Sequence, residues 1–531
     1  MMDKKKTGSY YTPDYLADFI SKRVLSYFNK RSRISILEPS VGDGAFIEAL
    51  KNVGNNNLSI KLTALEINPD ELIKASKKWN KRNSKFECID FLKFQPENLF
   101  SAIIGNPPYI KKNRLTNEQI EISKIIHKKN NLLGKATKNI WTTFLVKSIF
   151  HLSKNGILAF ILPSELLQVK FAEEIREFLK RKFERIEIFT FNDLMFECKG
   201  QDTIILFAYK QAIEKGEFFT NIKSKEELGN KSFVLKQNNL LIESKIKWTH
   251  HFLSSDELTF LYNFKKQLKT TNFYSKSSPG IVTAANKFFI INKETEKKYK
   301  LSKYTQPIIQ KGLYVNGSVV FSENDFKSLE SANYPTKLLQ LNNNEKISPN
   351  LRKYLLIGEN LGIPNRYKCK HRNNWYVIPN IALKPKAFFF KRSHLFPKLL
   401  KNNSDAFVTD SAYKIQMNSG YDLSSFIYSF YNTLTLIFSE IEGRYYGGGV
   451  LELTPSEFKK LPIPYTNISD NQFVNFTSDF ENKENIEQIL SQNDVKILNP
   501  ILGINNNELD KLKTIRKKLI QKRIRKQYNY F

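Results

Sequence analysis

Cysteine and histidine are scarce in this chain of 531 residues, with three of the first and six of the second. Cys88, Cys198 and Cys369 lie far apart, no C-x-x-C pair or two-His cluster accompanies them, and Cys369-Lys370-His371 is the one close Cys/His pair. Two ligands do not complete a tetrahedral site, so no structural zinc, and no metal, is expected. No uninterrupted apolar run approaches the roughly 18 residues of a membrane span, and Met1-Met2-Asp3-Lys4-Lys5-Lys6 is not followed by the apolar stretch of a secretion signal. These absences predict a soluble protein of a reducing cytoplasm, without a membrane partner. Acidic residues are also in short supply: 52 Asp and Glu face 83 Lys and Arg, a formal net charge of +31. That balance favours a polyanionic partner, nucleic acid foremost, although a general preference for Lys, Asn and Ile accounts for some of it as solvated surface. With 41% hydrophobic and 13% aromatic residues, the chain has ample material for cores, and its length predicts roughly two to four domains. No internal repeat is present.

From about Ile34 to Lys210, apolar β-rich runs alternate with amphipathic helical stretches. Ile34–Leu37, Lys61–Leu65, Phe86–Ile89, Ala102–Ile104, Ile157–Leu162, Ile186–Phe189 and Thr203–Ala208 read as strands, and Ala45–Val53, Ile140–Leu152 and Phe171–Phe183 as helices. Such alternation predicts a mostly parallel, Rossmann-like α/β sheet with ligands at the carboxyl ends of its strands. After Lys210 the pattern breaks, and a mixed α+β domain is expected over residues 241–531, following a first domain over 1–240. The last stretch, Leu509–Lys526, carries Leu512, Ile515 and Leu519 on a stripe ringed by Lys and Arg. It reads as a basic amphipathic helix, which suits either packing on the second domain or contact with phosphates.

Strand Ile34–Leu37 runs into Glu38-Pro39-Ser40-Val41-Gly42-Asp43-Gly44-Ala45-Phe46, where two glycines permit a tight strand-to-helix turn and close approach of a ligand. The next strand ends at Leu65-Glu66-Ile67-Asn68-Pro69, placing a carboxylate for both hydroxyls of a ribose. The third ends at Ile89-Asp90-Phe91, an acceptor for an adenine amino group beside an aromatic ring. A full G-x-G-x-x-G and the Lys-Ser/Thr of a P-loop are both missing. Three acidic strand ends around a Gly turn therefore fit S-adenosylmethionine better than a dinucleotide or nucleoside triphosphate. Any one of these acids also suits a helix N-cap.

Behind the run Ser101-Ala102-Ile103-Ile104-Gly105 stands Asn106-Pro107-Pro108-Tyr109. The Asn side-chain oxygen and the Pro107 carbonyl offer two acceptors to a planar amino group, with a Tyr ring beside them. Four residues alone equally suit a plain Pro-Pro turn in which Asn106 satisfies its own backbone.

In this order the parts resemble the gamma class of N6-adenine DNA methyltransferases: Gly8-Ser9-Tyr10-Tyr11-Thr12-Pro13 first, then the Glu38–Phe46 turn, Glu66, Asp90 and the Asn-Pro-Pro-Tyr turn. Gly280-Ile281-Val282-Thr283-Ala284-Ala285-Asn286-Lys287-Phe288-Phe289 is similar to the start of the family's recognition domain, departing at Ala285 and Lys287. Trp375–Pro379, Phe390-Lys391-Arg392 and Tyr446–Pro464 also resemble segments of that domain, although their aromatic clusters alone suit core packing. The resemblance implies a class I S-adenosylmethionine-dependent methyltransferase fold with a C-terminal DNA target-recognition domain. It implies transfer of a methyl group to the N6 amino group of a flipped adenine in double-stranded DNA. The cofactor contacts implied are Tyr11, Thr12, Glu38, Pro39, Gly42, Gly44, Phe46, Glu66, Ile67, Asp90, Phe91 and Asn106. The catalytic residues implied are Asn106, Pro107, Pro108 and Tyr109, with Phe196 on the second face of the base; the Phe-rich surroundings of Phe196 also suit a core position.

The same turn serves methylation of RNA or of a protein glutamine amide, and the fold also serves as a catalytically silent DNA-binding subunit. The long basic second half and the early Tyr-Tyr-Thr-Pro favour DNA. The few residues ahead of Thr12 leave no room for a fused nuclease, so a cognate restriction endonuclease is expected, if anywhere, on a separate chain.

Overall fold

A computed structural model describes residues 12–29, 32–53, 59–79, 84–192, 202–237, 247–315, 318–379, 381, 383–446, 448–482 and 485–524. Tyr11 and Phe196, both expected at the site, lie outside the described residues. Two compact units divide the chain, the first through Leu258 with Tyr446–Gly448 and the second from Thr259 onward.

The first unit is built on a nine-stranded sheet. Its strands are β1 (Arg33–Glu38), β2 (Ser59–Glu66), β3 (Ser84–Cys88), β4 (Phe100–Gly105), β5 (Leu152–Pro163), β6 (Arg185–Phe191), β7 (Thr203–Tyr209), β8 (Gly216–Ile222) and β9 (Lys236–Gln237). They lie in the order β3-β2-β1-β4-β5-β7-β6-β8-β9. Strands β3, β2, β1, β4 and β5 run parallel, and β7 turns antiparallel to both β5 and β6. Helices α1 (Asp14–Leu25), α2 (Ala45–Val53), α3 (Pro69–Lys77), α4 (Asn117–Lys129), α5 (Ile140–His151) and α6 (Glu173–Lys182) complete the parts that matter here.

The central strands are apolar on both faces because both are covered. Leu37, Leu65, Ile103, Leu158 and Phe160 join one buried cluster with Trp141 and Phe144 of α5. Their neighbours Ile36, Ala64, Ala102, Ile104 and Ala159 join another with Phe19 and Ile20 of α1 and Ile47 and Leu50 of α2. The sheet continues past the Lys210 limit read from sequence: β8 pairs with β6 over seven residues and buries Phe218, Phe219 and Ile222. Trp248, beyond the expected boundary at residue 240, is buried in the first unit's core.

The second unit is mixed α+β. Its five-stranded sheet is centred on Ala387–Phe390, whose four side chains are all buried, between Lys398–Asn402 and Ala412–Met417. Trp375 and Tyr354 both pack on Phe288, at 5.5 and 4.8 Å between ring centroids, so this aromatic cluster is core. The last described helix, Asn506–Ile524, buries Leu509, Leu512, Ile515 and Leu519 as the stripe requires. Two of its cations are buried as well: Arg516 pairs with Glu487, and Arg523 with Glu440 at 2.7 Å. These two guanidinium groups hold the helix to the unit and are closed to phosphate. No helix of the described residues is long and apolar enough to cross a membrane.

Candidate active site at the carboxyl edge of the sheet

The chain proceeds from β1 outward to β3 and then returns to place β4 on the other side of β1, so a topological switch point lies between β1 and β4. Glu38 ends β1, Glu66 ends β2, Asp90 follows β3 and Asn106 follows β4. At about 4.8 Å per strand, the four polar side chains follow one another along a single edge in the order Asp90, Glu66, Glu38, Asn106.

The Gly turn is tied to this edge by its neighbours. Glu66 Oε2 accepts from the Gly42 amide at 2.9 Å, while Oε1 accepts from the Ile67 and Asn68 amides at 2.9 and 3.0 Å. Gly42 takes φ +54° with nothing within 4 Å of where a Cβ would stand, so its backbone faces open space. Gly44 serves differently: at φ +84°, its Cβ would meet the Ala75 backbone of α3 at 3.0 Å, so this glycine allows close packing of a helix. Phe46 and Phe91 are both buried in the core, Phe91 with its ring 4.9 Å from Phe144. Neither presents a ring face at the edge; they fix the turns that carry their neighbours. Ile67, in contrast, leaves a 63% exposed apolar side chain beside Glu66.

Glu38 is fully buried and its Oε2 has no hydrogen-bond partner. Burial holds its carboxyl well above the usual carboxylate range, and the negative charges of Asp43 and Glu66 push the same way against Lys78. Asp43 is also raised, chiefly by burial. Three acids beside an open glycine turn, one with an orphaned oxygen, suit a cationic ligand. That donor set fits a ligand carrying sulfonium and ammonium charges.

On the other side of the switch point, Asn106 is bonded to three groups. Its Nδ2 faces Thr12 Oγ1 at 3.4 Å, and its backbone oxygen accepts from Ser40 Oγ at 3.3 Å. The Tyr109 hydroxyl reaches Asn106 Oδ1 at 2.9 Å and the Ile161 carbonyl of β5 at 3.1 Å. Thr12, Pro107 and Tyr109 are buried, and Pro39 lies against Gly105, its Cδ 3.4 Å from where a Cβ would stand. The Asn-Pro-Pro-Tyr segment is thus more than a turn that satisfies its own backbone: its Asn is held by Thr12 and Ser40 of two other segments and by Tyr109, itself bonded to β5. With its hydroxyl held in the sheet, the Tyr109 ring is only 9% exposed.

Two residues absent from the sequence reading adjoin the edge. Gln119 of α4 donates from Nε2 to Asp90 Oδ2 at 2.9 Å. Lys147 of α5 donates to the Leu92 carbonyl at 2.7 Å and lies 5.2 Å from the Phe91 ring; burial lowers it to about 8 against the pull of Asp90. Thr116-x-x-Gln119 carries a legible capping-box signature, but nothing in it points to Asp90. Lys147 sits in an apolar helix with no signal of its own.

An open sheet with a Gly turn at its switch point and acids along its carboxyl edge is the fold of class I S-adenosylmethionine-dependent methyltransferases. Residues 13–196 match the family model described as Eco57I restriction-modification methylase, and residues 245–498 that of the type II methyltransferase M.Eco57I, C-terminal domain. The chain belongs to this gamma-class family of restriction-modification methyltransferases. It is 26% identical to the type II methyltransferase M.AccI of Acinetobacter calcoaceticus over 86% of this chain and 85% of that one. With M.HincII of Haemophilus influenzae it shares 29% identity over 39% of this chain and 38% of the other, so that match spans less than half of either protein. Among solved structures, the type IIL restriction-modification enzyme MmeI in complex with DNA aligns with TM-score 0.58 and 10% identity, over 96% of this chain and 75% of that one.

Proposed function

We propose that this enzyme transfers a methyl group from S-adenosylmethionine to the N6 amino group of an adenine flipped out of duplex DNA, at a particular sequence, as the modification arm of a restriction-modification system. The observation that carries this reading is Asn106, held by Thr12, Ser40 and Tyr109 at the end of the edge formed by Asp90, Glu66 and Glu38.

S-adenosylmethionine supplies an electrophilic methyl group on a sulfonium. Along the edge, Asp90 accepts the adenine amino group of the cofactor, Ile67 packs on its base, Glu66 receives its ribose hydroxyls, and Glu38 with the Gly42 turn takes its cationic end beside Thr12. The substrate amino nitrogen is a poor nucleophile because its lone pair is delocalised into the ring. The Asn106 side-chain oxygen and the Pro107 carbonyl accept its two hydrogens, drawing the nitrogen toward tetrahedral geometry and aiming its lone pair at the methyl group. Catalysis by this chain is positioning and electrostatics. Tyr109 orients the Asn106 amide, and its ring gains a stacking role only as the entering base displaces part of its cover. Phe196 is assigned the opposite face by family resemblance.

Extrusion of the base costs a few kcal/mol, which DNA contacts elsewhere must offset. The second unit supports such contacts with a cleft of about 740 Å³ that the Gly280-Ile281-Val282 motif helps to line. Lys368, His371, Arg372 and Lys414 also line it, no acidic residue among those described does, and Tyr367 at its wall is 79% exposed. Among the described residues, neither Lys368 nor Lys414 is in an ion pair. We assign this cleft to the DNA backbone and Tyr367 to a neighbouring base or sugar.

The test is transfer of a labelled methyl group offered to duplex DNA, RNA and protein in parallel, followed by nucleoside analysis. N6-methyladenine in DNA is expected; label in RNA or glutamine, with none in DNA, overturns the proposal.

A further inference from the structure

The bond between Gln119 and Asp90 joins two sites that the sequence keeps apart: the start of α4, just beyond the Asn-Pro-Pro-Tyr turn, and the acid at the far end of the ligand edge. The orientation of the Gln119 amide follows from its partners. Asp90 Oδ2 only accepts, so Nε2 faces it at 2.9 Å; the Thr116 amide only donates, so Oε1 faces it at 3.3 Å. The Gln119 backbone amide donates in turn to Thr116 Oγ1 at 3.1 Å, closing a capping box at the start of α4. Asp90 Oδ1 meanwhile accepts from the Leu92 amide at 2.9 Å. One amide therefore completes the first turn of a helix and fixes a carboxylate at the same time.

An ordinary capping box needs only the acceptor end of the Gln or Glu at its third position. The donor end is surplus to the helix, and here it is spent on Asp90. We propose that Gln119 is a positioning residue for the methyl donor. It holds the Asp90 carboxylate in the rotamer that receives the adenine amino group, leaving the second lone pair of Oδ2 for that contact, and it links occupancy of the nucleoside end to order at the start of α4. The inference rests on Asp90 being a cofactor contact and adds to that reading the residue through which the contact is held.

Gln119→Glu separates the two roles, because Glu is as good a cap but turns an acceptor toward Asp90 in place of the donor. Binding of S-adenosylmethionine and of S-adenosylhomocysteine to the full chain is measured by calorimetry. Loss of a charge-assisted bond predicts roughly tenfold weaker binding for Gln119→Glu at neutral pH. Thr116→Ala, which removes a cap but leaves the bond to Asp90, is expected to bind within about twofold of wild type. The KM for S-adenosylmethionine should rise in Gln119→Glu with kcat and the KM for DNA little changed. Deuterium exchange over residues 116–124 should slow on cofactor binding in wild type and not in Gln119→Ala. If Gln119→Glu binds like wild type while Thr116→Ala is the weakened one, Gln119 is a cap and nothing more, and the inference fails. If wild type itself binds neither compound, the cofactor reading fails instead.

Discussion

The Tyr109 hydroxyl lies 2.9 Å from Asn106 Oδ1 and 3.1 Å from the carbonyl of Ile161, so its single proton is shared between the acceptor that would clamp a base and the backbone of β5. Replacing Tyr109 by Phe keeps the ring and removes that proton. Losing one hydrogen bond of about 1 kcal/mol predicts a roughly fivefold to tenfold fall in kcat, with cofactor affinity unchanged. Tyr109→Ala should fall much further, because it also removes a buried ring and any stacking on the base. Equal activities for Tyr109→Phe and wild type in steady-state methyl transfer would confine the residue to stacking.

Glu38 gives a pH signature. Its folded-state pKa is raised by burial, then by Asp43 and Glu66, so its contribution to ligand-free stability is present below the ordinary carboxylate pKa and lost as pH rises through the folded value. Glu38→Gln, which mimics the protonated acid, should therefore melt higher than wild type at neutral pH, the gap closing in acid. Its affinity for S-adenosylmethionine should fall, because the variant cannot ionise to meet the charge of the ligand. Thermal melts across pH, with and without ligand, check both signs, and a variant that binds as tightly as wild type removes Glu38 from the cation site.

The two glycines of the turn should respond differently. Gly44→Ala places a methyl group 3.0 Å from the Ala75 backbone at φ +84°, adding a steric clash to conformational strain of about 1–2 kcal/mol; denaturant unfolding should register a clear loss. Gly42→Ala has room for its Cβ at φ +54°. Only the strain of about 1 kcal/mol applies there, and the larger effect should fall on cofactor affinity, since the methyl group projects into the ligand's space.

In the second unit, Lys414→Ala and Lys368→Ala should weaken binding to any duplex and lower the salt dependence of log K by about one unit for each phosphate no longer neutralised. Both should leave S-adenosylmethionine binding intact. Exposed lysines on the helix Lys293–Lys298 are the control, and an equal weakening in Lys297→Ala would reduce the cleft to bulk charge.

The seven strands between Ile34 and Ala208 were legible because they are short apolar runs, most of them in alternation with helices, and the central ones, buried on both faces, leave the strongest trace in sequence. Strand Gly216–Ile222 was not, because it follows a charged turn and mixes Glu217 and Asn221 with its buried phenylalanines. At the site, the acids at strand ends and the Asn-Pro-Pro-Tyr turn could be placed from local pattern alone. The direction of side chains could not: Phe46 and Phe91 look like ligand-facing rings beside functional residues, yet Phe46, in the first turn of α2, and Phe91, in the turn after β3, both point into the core. Gln119 and Arg516 escaped for a related reason, since their partners, Asp90 and Glu487, are 29 residues away in each case and only the fold joins them.

The central claim, that Asn106 clamps an adenine amino group in DNA, is tested most directly by methylation-aware sequencing of unmodified DNA incubated with S-adenosylmethionine and either the wild-type chain or Asn106→Ala. The wild-type chain should leave N6-methyladenine within one recurring sequence, and Asn106→Ala should leave none while still binding the cofactor. Unmodified adenines with the wild-type chain, or full methylation by Asn106→Ala, would contradict it.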